Sequence, residues 1–206
     1  MKKNFVSNST ESTRMFKSNF LEGLSKVPFY IPLIVYIPII GYMIWRSFIN
    51  EDMTFLHFTM AFFSGLGVWT LVEYVLHRFV FHFHPQSSWG KRIHFIFHGV
   101  HHDYPNDAKR LVMPPSASLP LAALFFFLFR SFISDYLLYA SFAGFIFGYL
   151  IYDMMHYALH HYNFKSGLGL KMKKHHMLHH YSDETKGYGV SSAVWDKIFK
   201  TNFSRK

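Results

Sequence analysis

Cysteine is absent from the chain. Disulfides and zinc–thiolate centres are thereby excluded, and any bound metal must be held by nitrogen and oxygen. Charge is sparse at 16% of residues, and acids are the scarcer sign, with 12 Asp and Glu against 21 Lys and Arg. The resulting net charge of +9 invites a nucleic-acid reading, but no binding motif or base-stacking platform accompanies it. There is no terminal histidine run, so the fifteen histidines are not a tag. No signal-peptide cleavage pattern precedes the first apolar stretch. What abounds is apolar surface: 50% hydrophobic residues and 20% aromatic, heavy for a soluble domain and ordinary for a membrane protein.

The apolar residues fall into runs. Val27 to Trp45 is long enough, at about 1.5 Å per residue, to cross a hydrocarbon core of roughly 30 Å. Pro28, Pro32 and Pro38 within it predict kinks. A polar turn from Arg46 to Asp52 leads into a second run, Phe55 to Leu76. Leu119 to Ile133, short for a full crossing, and Tyr136 to Met155 form a second hairpin around Arg130, Ser134 and Asp135. The expected fold is an all-α integral membrane protein with four spans, at about 27–45, 55–76, 119–133 and 136–155. Residues 1–26 form a polar, partly disordered N-terminal segment with a short amphipathic helix near Phe16–Leu24, and residues 27–206 form one membrane-embedded domain. Only Arg46 and Arg130 among the 21 basic residues lie in the turns within hairpins. The positive-inside rule therefore puts the N-terminal segment, the 77–118 loop and the C-terminal tail in the cytoplasm. Thirteen of the fifteen histidines lie between positions 82 and 180, with His77 nearby. A histidine-rich helical cap on the cytoplasmic side is the expected result.

Four histidine clusters stand out. Two His-x-x-His-His units, His98/His101/His102 and His176/His179/His180, carry offsets of three and four, which keep rings within about 60° of one another on a helix. His156 and His160, four apart, share one helix face. His77 and His82 are five apart, an offset of about 140°, so that pair either reaches two metals or straddles a helix end. Neutral imidazole is the commonest protein metal ligand, and ten of them exceed the roughly five or six positions of one first-row ion. Two ions sharing ten rings is the simplest arithmetic. All-imidazole ligation favours ions such as Fe(II), Zn(II) or Cu(II). Zinc hydrolysis needs fewer ligands, so a redox pair activating dioxygen fits better, with a lipid substrate arriving from the bilayer. His94, one turn before His98, is a ligand or a supporting donor. His57, His84, His161 and His175 break the spacing and are read as ordinary polar residues. Acids at membrane depth are expensive: Asp153 is expected to accept the second N–H of a ligating ring, and Glu73 either does the same or bonds between helices. A metal-transport protein is the alternative from another class, but transport sites sit near the bilayer midplane and these histidines gather at one face.

The three histidine boxes resemble the integral-membrane fatty acid hydroxylase superfamily. Finer matches are similar to its fatty acid 2-hydroxylase, or sphingolipid α-hydroxylase, branch. These are His98-Gly99-Val100-His101-His102 with Pro105-Asn106-Asp107 and Arg110-Leu111-Val112-Met113-Pro114-Pro115, then Tyr152-Asp153-Met154-Met155-His156-Tyr157-Ala158-Leu159-His160, and Gly189-Val190-Ser191-Ser192-Ala193-Val194-Trp195-Asp196. The resemblance, over about residues 70–201, implies O2-dependent hydroxylation at C2 of a long acyl chain, free or in a ceramide-type lipid. It implies two iron ions, replaceable by zinc in purified protein, on His77, His82, His98, His101, His102, His156, His160, His176, His179 and His180. Tyr152, Tyr188 and Trp195 become candidate substrate contacts. Animal and fungal members carry an N-terminal cytochrome b5 domain for which this chain has no room, so electrons are expected from a separate donor of cytochrome b5 or ferredoxin type. Lys171, Lys173, Lys174, Lys186, Lys197 and Lys200 offer it a basic surface. A bacterial inner membrane or the endoplasmic reticulum is the expected location. Carotenoid or sterol hydroxylation, or acyl desaturation, would use the same metal core.

Overall fold

A computed structural model describes residues 6–49 and 52–203. Among them every regular element is helical: α1 (Asn19–Ser25), α2 (Ile31–Ile49), α3 (Phe55–Val75), α4 (Ser88–His94), α5 (Val100–Asp103), α6 (Pro115–Phe132), α7 (Asp135–His161), α8 (Gly167–Tyr181) and α9 (Val194–Ile198). Two π-helical segments, Leu76–Phe81 and Phe95–Gly99, continue α3 and α4 without a break.

Four of these helices, Ile31–Ile49, Phe55–Phe81, Pro115–Phe132 and Asp135–His161, are long and apolar enough to cross a membrane. They follow in the expected order with shifted ends, but the first two do not pair as a tight hairpin: each packs chiefly on α7. The first begins at Ile31 rather than Val27, so Pro28 precedes it and Pro32 sits in its first turn, where a missing N–H costs nothing. Only Pro38 lies in its interior. The third begins at Pro115, a proline at the first helical position, and so gains the turn that the run from Leu119 lacks. Part of the Arg46–Asp52 turn, residues 50 and 51, lies outside the described residues.

The four helices divide labour by length. Those of 18 and 19 residues match the hydrocarbon thickness, whereas the two of 27 residues reach about 40 Å and overshoot it by about two turns. The overshoot of one carries His77, and that of the other carries His156 and His160. Helix α7 is the central one, with most of its residues buried, while Ile34, Ile37, Phe63, Leu124 and Phe127 on its neighbours face outward. The long helices touch backbone to backbone. A Cβ on Gly65 would lie 1.8 Å from the Ser141 carbonyl, and one on Gly144 the same distance from that of Phe62. Small residues permit this approach where no hydrophobic drive pulls helices together in lipid. The histidine-bearing ends are thus fixed relative to each other.

The N-terminal segment, expected to be partly disordered, is folded onto the 103–110 loop from residue 6 onward; residues 1–5 lie outside the described residues. Ser12 Oγ and Thr13 N donate to the buried Asp107 carboxylate. Arg110 donates to Glu22 at 2.8 Å and to the Thr13 carbonyl at 2.6 Å. Burial would raise the Glu22 pKa, but Lys26, the N–H groups of Phe16 and Met15, and Arg110 outweigh it and hold the carboxyl at about 2. These partners are remote in sequence, which is why composition alone reads the segment as loose.

Candidate metal centre

The structure brings all ten clustered histidines together, in two groups of five: His77, His82, His98, His102 and His179, and His101, His156, His160, His176 and His180. Within each group one ring nitrogen per residue lies within 4.8 Å of all the others, close to the span of about 4.2 Å between opposite ligands at about 2.1 Å from one centre. The groups abut, with the His102 and His180 rings stacked at 4.1 Å.

The sorting corrects one expectation and decides between the two readings of another. The three rings of a His-x-x-His-His unit do not aim at one point. His98 and His102, four apart, join the first group and His101 the second, whereas His176 and His180 join the second and His179 the first. The i and i+4 rings stack along a helix; the i+3 ring leans the other way by most of a right angle. Each unit therefore bridges both groups. His77 and His82, expected either to reach two metals or to straddle a helix end, do the latter: His82 caps the π-helical segment that holds His77, its N–H donating to the His77 carbonyl at 3.1 Å, and both rings join the first group. An i to i+5 helix brings residues five apart to the same side.

The donor set fits a cation. His77 Nδ1–H donates to the Tyr188 carbonyl at 2.5 Å, His179 Nδ1–H to that of Lys186 at 2.7 Å, and His156 Nδ1–H to that of Leu111 at 3.1 Å. With the proton on Nδ1, each Nε2 presents a bare lone pair. These point at the Nε2 atoms of His98 (3.1 Å), His82 (2.9 Å) and His101 (2.8 Å). Burial first, and neighbouring rings second, hold His98, His101, His102, His176 and His180 well below the usual imidazole range. Burial likewise lowers His179 to about 4. Ten neutral rings with inward lone pairs are what a metal pair requires.

Of the other expected residues, Asp153 departs most. Its Oδ1 accepts from Met113 N at 3.4 Å, its Oδ2 is buried without a hydrogen-bond partner among the described residues, and neither oxygen bonds an imidazole there. The carbonyl of Leu111 supports His156 instead. Glu73 accepts from Val190 N, Ser191 N and Ser191 Oγ, which binds α3 to the loop between α8 and α9 rather than to another helix and reaches the ligands through the 186–191 backbone. His94 joins neither group and lines a polar cavity of about 220 Å³ with His82, His84, His102, Asp103 and Glu184. His57 bonds Tyr136 at 2.7 Å at the opposite end of the bundle, His161 packs on Tyr157, and His175 bonds Asp196 at 3.1 Å.

An apolar cavity of about 280 Å³ lies on the other side of the groups. His98, His101 and His156 reach it, Phe81, Phe97 and Met113 make its sides, and Met15, Phe16 and Leu24 of the N-terminal segment form its roof. Tyr152 lines it and stacks on His156 at 5.7 Å. Tyr188 and Trp195 do not line it: Tyr188 packs against His77, His82 and His179, and Trp195 Nε1–H donates to Thr70 Oγ1 at 3.0 Å. Sequence reasoning missed Asp196, Arg110 and Glu22. Asp196 and Arg110 stood within recognised segments, but no spacing links them to the partners they hold.

A sequence profile for the fatty acid hydroxylase family matches residues 62–201. A dihydroceramide fatty acyl 2-hydroxylase of Arabidopsis thaliana is 36% identical, the match covering 93% of this chain and 80% of the relative. A ceramide very long chain fatty acid hydroxylase of Saccharomyces cerevisiae is 41% identical over 89% of the chain and 48% of the relative, and human fatty acid 2-hydroxylase is 34% identical over 93% and 57%. The chain thus spans most of the plant protein but only about half the length of the yeast and human ones. The solved structure of full-length scs7p, in which the hydroxylase domain is visible, superposes with a TM-score of 0.85 and 40% identity, covering 90% of this chain and 70% of that one.

Proposed function

Since the chain belongs to the fatty acid hydroxylase family, we propose that it hydroxylates C2 of a long acyl chain, in a free fatty acid or a ceramide-type lipid. The names of its relatives support the position and the lipid class. The observation that carries the reading is the wall shared by the apolar cavity and the histidine groups, where His98, His101 and His156 face a space lined by Phe81, Phe97 and Met113.

The ten imidazoles would hold two iron ions, which supply O2 activation when bound. The protein's part is to bring one carbon to that wall and keep water away. An acyl chain seated against Phe97 and Met113, with Tyr152 beside His156, has its carbonyl end toward the rings. The roof of Met15, Phe16 and Leu24, fixed by Glu22–Arg110 and Asp107, excludes solvent. The cavity with His84, His94, Asp103 and Glu184 is the polar side, where water and protons meet the groups without crossing the acyl site.

Electrons would come from a separate donor docking on the basic face, where Lys171, Lys174, Lys197 and Lys200 are exposed. The charge distribution supports a cytoplasmic orientation of the whole histidine-bearing end, and residues 27–206 act as one hydroxylase unit roofed by the N-terminal segment. The test is lipid mass spectrometry after expression with a fatty acid pool, wild type against His101→Ala. One added oxygen at C2, absent from the variant, is expected. Loss of two hydrogens, or oxidation of a ring, would redirect the assignment.

A further inference from the structure

Two buried carboxylates grip one short segment from both sides. Glu73, one turn before His77, accepts the N–H groups of Val190 at 2.7 Å and Ser191 at 2.8 Å together with the Ser191 hydroxyl. Asp196, fully buried in α9, accepts from Tyr188 N at 2.9 Å, Gly189 N at 2.8 Å, the Thr201 hydroxyl at 2.8 Å and His175 Nε2 at 3.1 Å. Neither carboxylate belongs to a histidine group. What they fix is the backbone of the strap from Lys186 to Ser191, and two carbonyls of that strap take Nδ1–H from His179 and His77.

Both of those rings belong to the first group. Among the described residues the second group has no such brace beyond the Leu111 carbonyl, and Nδ1 of His101, His176 and His180 is buried there without a partner. A ring that ligates through Nε2 carries its proton on Nδ1, so these are three buried donors with no acceptor, each at a cost in free energy. Acceptors behind a ligating imidazole fix its tautomer and raise its basicity, and removing one typically weakens metal binding 10- to 100-fold.

We propose that the Lys186–Ser191 strap, clamped by Glu73 and Asp196, positions His77 and His179 and makes the first group the tighter of two unequal metal sites. The inference rests on reading the groups as metal centres. Asparagine at 196 separates the clamp from the ligands, because its amide offers one acceptor and one donor and sets an NH2 against an N–H of the strap. Glutamine at 73 is the conservative counterpart: its oxygen keeps Val190 and Ser191, and its NH2 meets a hydroxyl that can accept.

The experiment uses the full-length protein in detergent, loaded with Co(II), with stoichiometry by elemental analysis and affinities by chelator competition. Wild type should hold two ions with separable affinities; fewer than two would overturn the metal-centre reading itself. His176→Ala should keep one ion, that of the first group. In this background Asp196→Asn should weaken it about 10- to 100-fold and shift the Co(II) absorption bands, while Glu73→Gln leaves both nearly unchanged. In a His82→Ala background the remaining ion, that of the second group, should bind more weakly from the start and ignore Asp196→Asn. Should Asp196→Asn fail to fold, Ser191→Ala removes one bond to Glu73 and should weaken only the first-group ion, by about 2- to 10-fold. Equal loss from both groups, no loss from either, or a tighter second group would overturn the strap's assignment while leaving the metal centres intact.

Discussion

The first histidine group lends His82 and His102 to the polar cavity and His98 to the apolar one, and has carbonyls of Tyr188 and Lys186 behind its rings. The second lends His101 and His156 to the apolar cavity and His180 to the polar one, and among the described residues has one carbonyl, that of Leu111. Ligand count is the same in both. The difference lies in what stands behind the ligands, and it does not follow the cavities, since each group reaches both. Two rings of the first group are braced from behind, whereas Nδ1 of three rings of the second is buried without a partner among the described residues.

The comparison breaks most completely if a ring of the second group is removed. His101→Ala should abolish lipid hydroxylation, read by mass spectrometry, and cost one ion per chain by elemental analysis, with the first-group ion retained. A fall to zero ions would mean that the groups fold and load as one unit. Separating the long helices should damage both groups together. Gly144→Leu sets a side chain where even a Cβ lies 1.8 Å from the Phe62 carbonyl, and should destabilise the protein by at least about 3 kcal/mol, seen as a lower unfolding midpoint in detergent.

The roof over the second group can be opened alone. Arg110→Met leaves Glu22 buried without its guanidinium, a loss on the order of 3 kcal/mol. It should depress hydroxylation while both ions stay bound, which metal analysis beside product analysis would check. The same contact predicts a pH dependence. Glu22 sits at about 2 in the folded protein against 4.5 for the free side chain. Its contribution is therefore full above pH 4.5 and fades as the pH falls toward 2. Limited proteolysis of residues 6–25 should accelerate across that window, and Glu22→Gln should flatten the profile. The smallest effect is expected at Trp195, which faces neither cavity. Trp195→Phe loses one hydrogen bond to Thr70, worth about 1 kcal/mol, and should leave the acyl-length preference of the products unchanged.

Much of the site was legible because metal ligation repeats residue type at helical spacing. His98/His102, His156/His160 and His176/His180 could be paired from their offsets of four alone. The pairing of His77 with His82 could not, since a π-helical segment looks like any apolar stretch until its i to i+5 bond is formed. Nor could the split within each His-x-x-His-His unit, because a single helix says how two rings diverge and not what waits on either side. Asp153 was placed behind a ring by its nearness in sequence to His156, yet the acceptor that reaches this ring is a carbonyl forty-five residues away. Carbonyls carry no sequence signature, since every residue has one.

By itself the sequence determined the four apolar helices, the ten imidazoles and their number per unit, since hydrophobic run length and ligand chemistry are properties of residues in order. The tertiary structure alone decided which rings meet, which are braced by Tyr188, Lys186 and Leu111, and that Met15 to Leu24 closes the acyl cavity. Those outcomes depend on backbone atoms and buried partners brought together across as many as 118 positions, and contacts of that range exist only once the helices have packed.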